Sequence, residues 1–447
     1  MLHPFIFKAN DIRGIVAGPH PEWDLDGARL LGAAFVALTG AEELVLGRDM
    51  RTMGRELSLA FADGARRAGC SVIDLGLTST DQLWFASGWL DRHGVQFTAS
   101  HNPAEYNGAK FCLPQAKPVA TDFTARLRDL APTVELGDEV TGGYREMDSL
   151  EAYAEKLRGL TPMRGDRDLT VVVDAGNGMA GHTAAAVLSG RRLDIVGLFM
   201  ELDGTFPNHP ANPLEPENLV DAQRAVVAHG ADLGLVFDGD ADRCFIIDER
   251  GECVDPSVVT ALIATQELER EPGGTIVINT ITSQCVEEAI EGKGSLVRSQ
   301  VGHTYVKGLM AEHDGIFGGE HSAHYYFRDF WSADTGMLAA LHVVEMLRAS
   351  DGPLSALAAR FDGYARSGEL NSTVEDAQAC QDAVAAAFEG RGVADWTDGL
   401  TITAEAEGWW INLRPSNTEP LLRLNVEART EPQMAALRDE VLALVRG

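Results

Sequence analysis

The sequence repeats one pattern of strands and helices three times, and this repeat restricts the possible folds more than any other feature. Short apolar, β-branched segments bounded by Gly or Asp predict buried parallel strands, and the longer Ala-rich segments between them predict helices. The predicted strands are residues 44–47, 71–74 and 95–97 in the first repeat, 171–174, 194–196 and 235–237 in the second, and 276–279, 296–298 and 315–317 in the third. The last strand of each repeat leads into an unusually polar loop. Because open α/β sheets bind ligands beyond the carboxyl ends of their strands, we expect the three loops to share a cleft.

The pattern changes after about Gly368. Residues 400–403, 409–413 and 422–426 alternate like the strands of a sheet with one solvated face, and apolar residues at three- and four-residue spacing predict a helix from Pro432 to the C-terminus. A chain of 447 residues is too long for one core. The predicted fold is therefore α/β, with three similar domains of mixed, mostly parallel sheets and a smaller α+β C-terminal domain around a central cleft. The predicted domains are residues 1–145, 146–252, 253–367 and 368–447.

Charge and cysteine content restrict the partners and the compartment. The 67 acidic residues outnumber the 37 basic residues and give a net charge of −30, which disfavours binding to nucleic acid and to anionic membranes. The six cysteines show no C-x-x-C spacing, so we expect buried free thiols in a reducing compartment. Lys8 and Asp11 interrupt the N-terminus before a signal-peptide core can form. Since no stretch reaches the ~18 apolar residues of a membrane span, the sequence predicts a soluble, cytoplasmic protein.

The loop after the first repeat reads Thr98-Ala-Ser-His-Asn-Pro103. A serine hydroxyl is a weak nucleophile unless neighbouring groups activate it or stabilise its charged product. Ser100 has His101 beside it and a basic residue, Lys110, ten positions later. This pattern makes Ser100 a candidate covalent nucleophile. The alternative is a polar turn capped by a Ser or Asn side chain.

The loop after the second repeat reads Asp238-Gly-Asp-Ala-Asp-Arg243. Three carboxylates at alternate positions can converge on one hard cation, and they would repel one another without it. An EF-hand calcium loop is excluded because Arg243 occupies the position of the invariant glycine. A metal site and a solvated acidic turn remain as the two interpretations.

The loop after the third repeat reads Gly318-Gly-Glu-His-Ser-Ala-His-Tyr325. Its two glycines let the backbone approach a ligand closely, and Glu320, Ser322 and His324 offer donors and acceptors suited to sugar hydroxyl groups. Zinc is the weaker interpretation, because neither an H-E-x-x-H motif nor a cysteine set accompanies the histidines.

A fourth polar segment, residues 414–418, reads Arg-Pro-Ser-Asn-Thr and lies between two predicted strands, with Arg423 on the second strand. Guanidinium, hydroxyl and amide groups together are typical of a phosphate cradle. Near the N-terminus, Arg13 in the segment Asp-Ile-Arg-Gly is a candidate contact for a second phosphate.

Taken together and in this order, the four segments resemble those of the α-D-phosphohexomutase superfamily. The phosphoserine loop of that superfamily is similar to residues 98–103, its metal loop to 238–243, its sugar loop to 319–324 and its phosphate loop to 414–418. The segment Glu-His-Ser-Ala-His resembles the Glu-Met-Ser-Gly-His of the phosphomannomutase/phosphoglucomutase subgroup, as in bacterial phosphomannomutases, and the Glu-Gln-Ser-Gly-His of phosphoglucosamine mutases is close. His321 and Ala323 depart from both types, and Ala241 replaces a glycine that many members carry. Asn279 stands where relatives often place a basic residue.

The resemblance implies an intramolecular phosphotransferase that interconverts hexose 6-phosphate and hexose 1-phosphate, with mannose preferred and glucose also used. It implies a phosphoserine at Ser100, a 1,6-bisphosphate intermediate, and glucose 1,6-bisphosphate or mannose 1,6-bisphosphate as activator. The expected ligands of Mg²⁺ are Ser100, Asp238, Asp240 and Asp242. The expected catalytic residues are Ser100, His101, Lys110, Arg243 and His324, with His324 or Lys110 as general base. The expected substrate-binding residues are Arg13, Gly302, His303, Glu320, Ser322, His324, Arg414, Ser416, Asn417, Thr418 and Arg423.

Three other functions stay open at this stage: a phosphoglucosamine mutase, a sugar-phosphate phosphatase and a non-catalytic sugar-phosphate sensor. A separate phosphate cradle argues against a phosphatase, which has no need to hold a second phosphate. The presence of Ser100 and of all three aspartates argues against a sensor. The expected partners are small sugar phosphates, without nucleic acid or membrane, and the expected assembly is a monomer or a dimer.

Overall fold

The computed structural model describes residues 1–415 and 421–447. In these ranges the helices are α1 Leu25–Thr39, α2 Gly54–Arg67, α3 Thr80–Leu90, α4 Phe123–Leu130, α5 Leu150–Leu160, α6 Ala180–Val187, α7 Val220–His229, α8 Pro256–Arg270, α9 Gln284–Ile290, α10 His303–Glu312, α11 Gly336–Arg348, α12 Leu354–Ala358, α13 Ala377–Ala387 and α14 Glu431–Arg446. The strands are β1 Ile12–Ile15, β2 Glu43–Arg48, β3 Ser71–Leu77, β4 His93–Phe97, β5 Tyr106–Leu113, β6 Lys117–Pro118, β7 Tyr144–Glu146, β8 Leu169–Asp174, β9 Leu193–Leu198, β10 Leu233–Phe237, β11 Cys244–Asp248, β12 Cys253–Val254, β13 Thr275–Asn279, β14 Ser295–Ser299, β15 Gly315–Gly319, β16 Tyr325–Phe327, β17 Ala333–Asp334, β18 Ala365–Arg366, β19 Leu370–Thr373, β20 Val393–Asp395, β21 Leu400–Ala404, β22 Trp409–Pro415 and β23 Leu421–Ala428.

The chain divides into two compact units. Unit 1 contains Met1–Pro256 and Ser322–Leu357, and unit 2 contains Ser257–His321 and Ala358–Gly447. Among the residues that the structure describes, no helix is both long and apolar enough to span a bilayer.

Unit 1 contains the sheets of the first two repeats. The first sheet has the order β1-β5-β4-β2-β3-β7, with β2 parallel to β3 and β4 and with β5 antiparallel to β4 and β1. The second sheet has the order β12-β11-β10-β8-β9, with a parallel core of β10, β8 and β9 and an antiparallel pair of β10 and β11. The carboxyl ends of β2, β3 and β4 therefore lie at one edge of the first sheet, and those of β8 and β10 lie at one edge of the second.

Unit 2 contains the central strands of the third repeat and the C-terminal sheet. Strands β14, β13 and β15 are parallel neighbours in that order. The C-terminal sheet has the order β18-β23-β22-β21-β20, with β19 also paired to β23, and all of its pairs are antiparallel. Helix α14 packs the apolar residues Met434, Leu437 and Val441 into the core of this domain.

The α/β fold class predicted from the repeat is confirmed, and a strand forms at each predicted position, most of them within two residues of the expected ends; β3 continues three residues further, to Leu77. The prediction of burial is wrong for β9 and β14, whose residues are largely half-buried or exposed, because both strands lie at the edge of a sheet. The expected burial of the thiols is confirmed for Cys70, Cys112, Cys244 and Cys285, whereas Cys380 is half-buried and Cys253 is exposed. All six cysteines are free.

Two helices of unit 1 begin with a side-chain cap close to the second polar loop. Ser79 precedes α3 and accepts a hydrogen bond from the N–H of Gln82, and Thr335 precedes α11 and accepts one from the N–H of Leu338. Such caps satisfy N–H groups that the first helical turn leaves unpaired, and each contributes about 1 kcal/mol. Helix α3 therefore starts at a fixed position, where its first residue, Thr80, contacts Asp240.

Candidate active site

Two loops of unit 1 meet at Ser100. The serine loop, residues 98–103, follows β4, and the aspartate loop, residues 238–243, follows β10. The Ser100 Oγ donates a hydrogen bond of 2.9 Å to Asp238 Oδ2. A Cβ atom on Gly239 would lie 2.4 Å from the carbonyl oxygen of Ser100, so only glycine at this position lets the two loops come so close. The predicted nucleophile and the predicted metal loop are thus in direct contact.

The three aspartates of the aspartate loop are fully buried, and one carboxylate oxygen from each lies within 4.8 Å of the other two. Lys110 Nζ donates to Asp240 Oδ2 at 2.7 Å and to Asp242 Oδ2 at 2.5 Å. Thr80 Oγ1 donates to the same oxygen of Asp240 at 2.5 Å. The Oδ1 atoms of Asp240 and Asp242 are buried and have no hydrogen-bond donor among residues 1–415 and 421–447. These oxygens fit a hard divalent cation such as Mg²⁺, which takes carboxylate ligands.

Arg243 joins the aspartate loop to His101. Its Nε and Nη2 atoms donate to Asp238 Oδ2 at 2.9 and 2.8 Å, and Nη2 also donates to His101 Nδ1 at 2.6 Å. Burial lowers the pKa of His101 well below its usual value, and the nearby charges of Arg243 and Arg13 lower it further. The imidazole is therefore neutral at pH 7, with Nδ1 as acceptor. It lies 3.2 Å from Ser100 Oγ.

Burial and charge set the protonation of the groups around Ser100. Burial opposes the charged form of Lys110, but Asp240 and Asp242 raise the pKa of its ammonium group. Burial raises the pKa of Asp238 to about 7, against the opposing effect of Arg243. Despite burial, Lys110 holds the pKa of Asp240 below its ordinary value. Lys110 is therefore a fixed hydrogen-bond donor in this arrangement, which is the wrong state for a proton acceptor.

His324 lies next to the aspartate loop. It forms a β-bridge with Arg243, and its Nε2 is 3.6 Å from Asp242 Oδ1. Its Nδ1 lies 2.9 Å from Ser322 Oγ. In the described part of the chain, the groups of potential metal ligands contain His324 but neither His313 nor His321, so the structure gives no support to a zinc site built from the three histidines.

Two alanines at predicted loop positions adopt a backbone conformation that favours glycine. Ala241 has φ of 60° and Ala323 has φ of 63°. This left-handed region costs a residue with a Cβ atom roughly 1–2 kcal/mol. The motifs that these two loops resemble have glycine at both positions, and the positive φ angles explain why glycine is favoured there.

Arg13 contacts the serine loop. Its Nη1 donates to Asn102 Oδ1 at 2.9 Å, and its Nε donates to Asp11 Oδ2 at the same distance. Residues Arg13, Ser100, His101, Lys110, Asp238, Asp240, Asp242, Arg243, Ser322 and His324 therefore form one continuous set of contacts in unit 1.

In unit 2, Glu320 is buried at the end of β15. Its Oε2 accepts hydrogen bonds from Asn279 Nδ2 at 3.0 Å and from the N–H of Gly302 at 3.3 Å. Helix α10 begins at His303, the residue after Gly302. The predicted loop is shorter than expected, because Gly318 and Gly319 belong to β15.

Two arginines of unit 2 share one carboxylate. Arg414 and Arg423 are direct partners on β22 and β23, and Glu369 accepts from Arg414 Nη2 at 2.9 Å and pairs with Arg423 Nη1 at 3.2 Å. The prediction that Arg414 lies in a loop is wrong, since β22 continues to Pro415. The predicted phosphate contacts Ser416, Asn417 and Thr418 lie outside the described residues.

Sequence reasoning missed Arg51 and Thr80, which contact the two loops of unit 1, and Glu369, which pairs with the two arginines of unit 2. Arg51 follows β2 and Thr80 follows β3. Both strands end at the same edge of the sheet as β4, which carries Ser100, so the rule that ligands bind at the carboxyl ends of parallel strands could have found both residues. Nothing in the sequence around Glu369 indicates its role.

Four domain families match the chain in order. They are described as phosphoglucomutase/phosphomannomutase alpha/beta/alpha domain I at residues 4–137, domain II at 151–251 and domain III at 255–364, and the C-terminal domain at 369–444.

Individual relatives agree with these matches. A phosphomannomutase of Salmonella montevideo is 37% identical, with 98% of this chain and 98% of the relative covered. The crystal structure of a phosphoglucomutase/phosphomannomutase family protein from Burkholderia thailandensis is 31% identical with a TM-score of 0.88, and the match covers 100% of this chain and 98% of that one. An N-acetylphosphoglucosamine mutase of Aspergillus fumigatus, solved in complex with GlcNAc-6P and magnesium, shares the fold at 15% identity and a TM-score of 0.59 over 82% of this chain and 93% of that one.

Proposed function

Because this chain belongs to the phosphoglucomutase/phosphomannomutase family, whose enzymes transfer phosphate within a sugar phosphate, we propose that it interconverts hexose 6-phosphate and hexose 1-phosphate through a phosphoserine at Ser100. The observation that carries the proposal is the contact of Ser100 Oγ with Asp238, inside a buried group of three aspartates that Lys110 and Arg243 accompany. A serine in a plain polar turn has no need of two buried cations and three buried carboxylates.

Phosphoryl transfer depends mainly on positioning and on charge stabilisation. In the first step a sugar hydroxyl oxygen bonds to the phosphorus, the bond from phosphorus to Ser100 Oγ breaks, and the serine hydroxyl group is restored. In the second step Ser100 Oγ bonds to the phosphorus of the other phosphoryl group of the 1,6-bisphosphate. The bond from that phosphorus to the sugar oxygen breaks, and the proton of the serine hydroxyl group passes to that oxygen. Arg243 and Lys110 supply fixed positive charge where the transferring group develops negative charge. His101, held by Arg243, keeps the serine loop in place.

His324 is the proposed proton acceptor for the sugar hydroxyl group. It lies next to the aspartate loop, and a neutral imidazole is a suitable base near pH 7. Lys110 was the other candidate. Its ammonium group donates to Asp240 and Asp242, which makes it a charge stabiliser instead.

Mg²⁺ is the proposed metal. Asp238, Asp240, Asp242 and a phosphoryl oxygen on Ser100 would hold it, and it would supply charge neutralisation and Lewis-acid activation at that oxygen. The fungal relative solved with magnesium supports this choice. Glucose 1,6-bisphosphate, or the mannose analogue, is the proposed activator because it can phosphorylate an empty Ser100.

The substrate contacts are proposed from the motifs of the sequence. Arg414 and Arg423 are held side by side and would bind the non-transferring phosphate together with Ser416, Asn417 and Thr418. The sugar hydroxyl groups would meet Glu320 and Ser322, with contacts from Gly302 and His303. Arg13 would face the second phosphate.

Mannose phosphate is the proposed preferred sugar, with glucose phosphate also accepted. The sugar-loop motif and the name of the Salmonella relative support this preference. The cytoplasmic location and the assembly as monomer or dimer stay predictions from the sequence.

A direct test compares turnover of mannose 1-phosphate, glucose 1-phosphate and glucosamine 1-phosphate, each with Mg²⁺ and a trace of glucose 1,6-bisphosphate. We expect turnover of the first two sugars and its loss in Ser100→Ala. Ser58→Ala is a matched control, because Ser58 is also buried and its hydroxyl group donates only to a helical carbonyl, that of Arg55. Preference for the amino sugar would indicate a phosphoglucosamine mutase, and activity that survives Ser100→Ala would overturn the phosphoserine.

A further inference from the structure

Arg51 lies directly behind the serine loop, with a side chain that is 1% exposed. Its Nη1 donates to the carbonyl oxygens of Pro103 at 2.7 Å and Tyr106 at 3.0 Å. Its Nη2 donates to the carbonyl oxygens of Ser100 at 2.8 Å and Asn102 at 2.6 Å. One guanidinium group thus satisfies four backbone acceptors, one for each Nη hydrogen.

The serine loop depends on such a group for two reasons. Ser100 has φ of 51°, a conformation that costs a non-glycine residue roughly 1–2 kcal/mol. Its loop also turns four carbonyl oxygens toward one point, where their partial negative charges repel one another and where an unpaired buried acceptor costs about 1–3 kcal/mol. A buried cation with four coplanar donors offsets the repulsion between these carbonyl oxygens and gives each of them a hydrogen bond. Lysine has the same charge but lacks the planar fork.

Elements of two repeats hold Arg51 in place. Asp49 Oδ2 lies 3.3 Å from its Nε, and Asp49 Oδ1 accepts from its backbone N–H at 3.0 Å. The ring of Phe206, from the second repeat, has its centroid 5.1 Å from the guanidinium carbon. A Cβ atom on Gly204 would come within 2.7 Å of Arg51 Cα, so this loop packs directly on the backbone of Arg51. The guanidinium group is therefore held by Asp49 and Phe206 in addition to its contacts with the serine loop.

We propose that Arg51 is a positioning residue that sets the orientation of Ser100 by holding the backbone of the serine loop. The consequence for catalysis rests on the proposed function, whereas the consequence for the loop does not. All four of these hydrogen bonds from Arg51 go to backbone carbonyl oxygens, so it acts on the reacting oxygen through the conformation of residues 100–106.

The test compares Arg51→Lys with Arg191→Lys. Arg191 is a matched control, because it is 3% exposed, pairs with the carboxylate of Glu345 and donates to the carbonyl oxygens of Thr161 and Arg158, away from Ser100. Two quantities are measured on the full-length protein. The first is amide hydrogen exchange of residues 99–106, and the second is kcat and KM for the hexose phosphates.

In Arg51→Lys we expect exchange in residues 99–106 to be at least ~10-fold faster, since the carbonyl contacts no longer close the loop. We expect kcat to fall by about 100-fold, the scale of an ångström-sized displacement of a reacting group, with KM nearly unchanged. In Arg191→Lys we expect neither change, even if this variant loses as much melting temperature as Arg51→Lys does. Phe206→Leu, which loses only the ring over the guanidinium group, should show both effects at a smaller size and keeps the test possible if Arg51→Lys does not fold.

Equal exchange of residues 99–106 in Arg51→Lys and in the wild type would overturn the proposal, as would an equal fall of kcat in Arg51→Lys and Arg191→Lys. Absence of wild-type turnover would instead overturn the proposed function. The exchange measurement would still decide whether Arg51 holds the loop.

Discussion

Asp81 is a buried carboxyl group on which three side-chain hydroxyl groups converge. It accepts hydrogen bonds from Ser79, from Tyr153 at 2.6 Å and from Thr335 at 2.7 Å. Ser79 and Thr335 are the N-cap residues of α3 and α11, and Tyr153 lies in α5. One carboxyl group thus connects three helices, and burial raises its pKa to about 7 from an ordinary value of 3.8.

The direction of this shift fixes the sign of the pH dependence. The folded state binds the Asp81 proton more tightly than the unfolded chain does. Its contribution to the free energy of unfolding is therefore fully present below pH 3.8, the unfolded value, and is lost as the pH rises through the folded value of about 7. Since one pKa unit is worth about 1.4 kcal/mol, the loss is about 4 kcal/mol by pH 8.

The variant Asp81→Asn has the same shape and no charge to lose. Near pH 4.5 its melting temperature should lie within a few degrees of the wild type, because the wild-type carboxyl group is protonated in the folded state there. At pH 8 the variant should melt about 8 °C higher, at about 2 °C per kcal/mol for a unit of this size. The assay is thermal unfolding at half-unit steps from pH 4.5 to pH 8, with Asp194→Asn, an exposed position of β9, as control.

Two results would refute this reasoning. A difference in melting temperature that does not change with pH would mean that the Asp81 pKa is close to its ordinary value. A variant that melts lower than the wild type at pH 8 would mean that the three hydroxyl groups stabilise the ionised carboxylate more than burial opposes it.

Three further predictions concern the aspartate loop. Gly239→Ala should lower kcat by about 100-fold, because its Cβ atom would displace the Ser100 carbonyl group. The control Gly159→Ala, whose Cβ atom would have nothing within 4 Å, should keep full turnover, and equal kcat in the two variants would contradict the close contact. Ala241→Gly should raise the melting temperature by about 2 °C, since the relief of a left-handed backbone exceeds the added freedom of the unfolded chain by about 1 kcal/mol, and a lower value in thermal unfolding would contradict it. Removal of divalent cations with EDTA should abolish turnover, and Mg²⁺ should restore it and also raise the melting temperature of the wild type but not of Asp240→Asn. Turnover in EDTA would contradict the metal site.

The sequence was most informative where chemistry and strand position coincide. Polar residues directly after β4 and β10 could be placed at sheet edges because strands of β-branched residues are easy to recognise, and Ser100 and Asp238 do meet. The pattern could not distinguish central strands from edge strands, so β9 and β14 are more exposed than predicted. An edge strand and a central strand can have the same apolar residues, and the number of neighbours follows only from the topology.

The strand positions of Arg51 and Thr80 pointed to the correct edge of the sheet, but the sequence could not show which groups they hold. Arg51 holds a loop 49 residues away, and Thr80 holds an aspartate 160 residues away. Such pairs leave no local spacing to recognise. Ala241 and Ala323 show the reverse case, in which the sequence reveals a departure from a motif and only the backbone angles explain what the departure costs.

Charge balance explains how so acidic a chain can act on an anionic substrate. The chain carries a net charge of −30. Around Ser100, however, Lys110 and Arg243 stand against the three carboxylates of the aspartate loop, and the buried Arg51 is balanced by Asp49. In the proposed mechanism the phosphoryl group on Ser100 brings about −2 and Mg²⁺ brings +2, so the local charge stays the same when both are present. Without the metal, the phosphoryl group would add about −2 to a buried site that already has more negative than positive groups, which is strongly unfavourable. The site therefore favours the phosphoryl group and the metal together, and the acidic surface outside it need not be neutralised for a sugar phosphate to react inside.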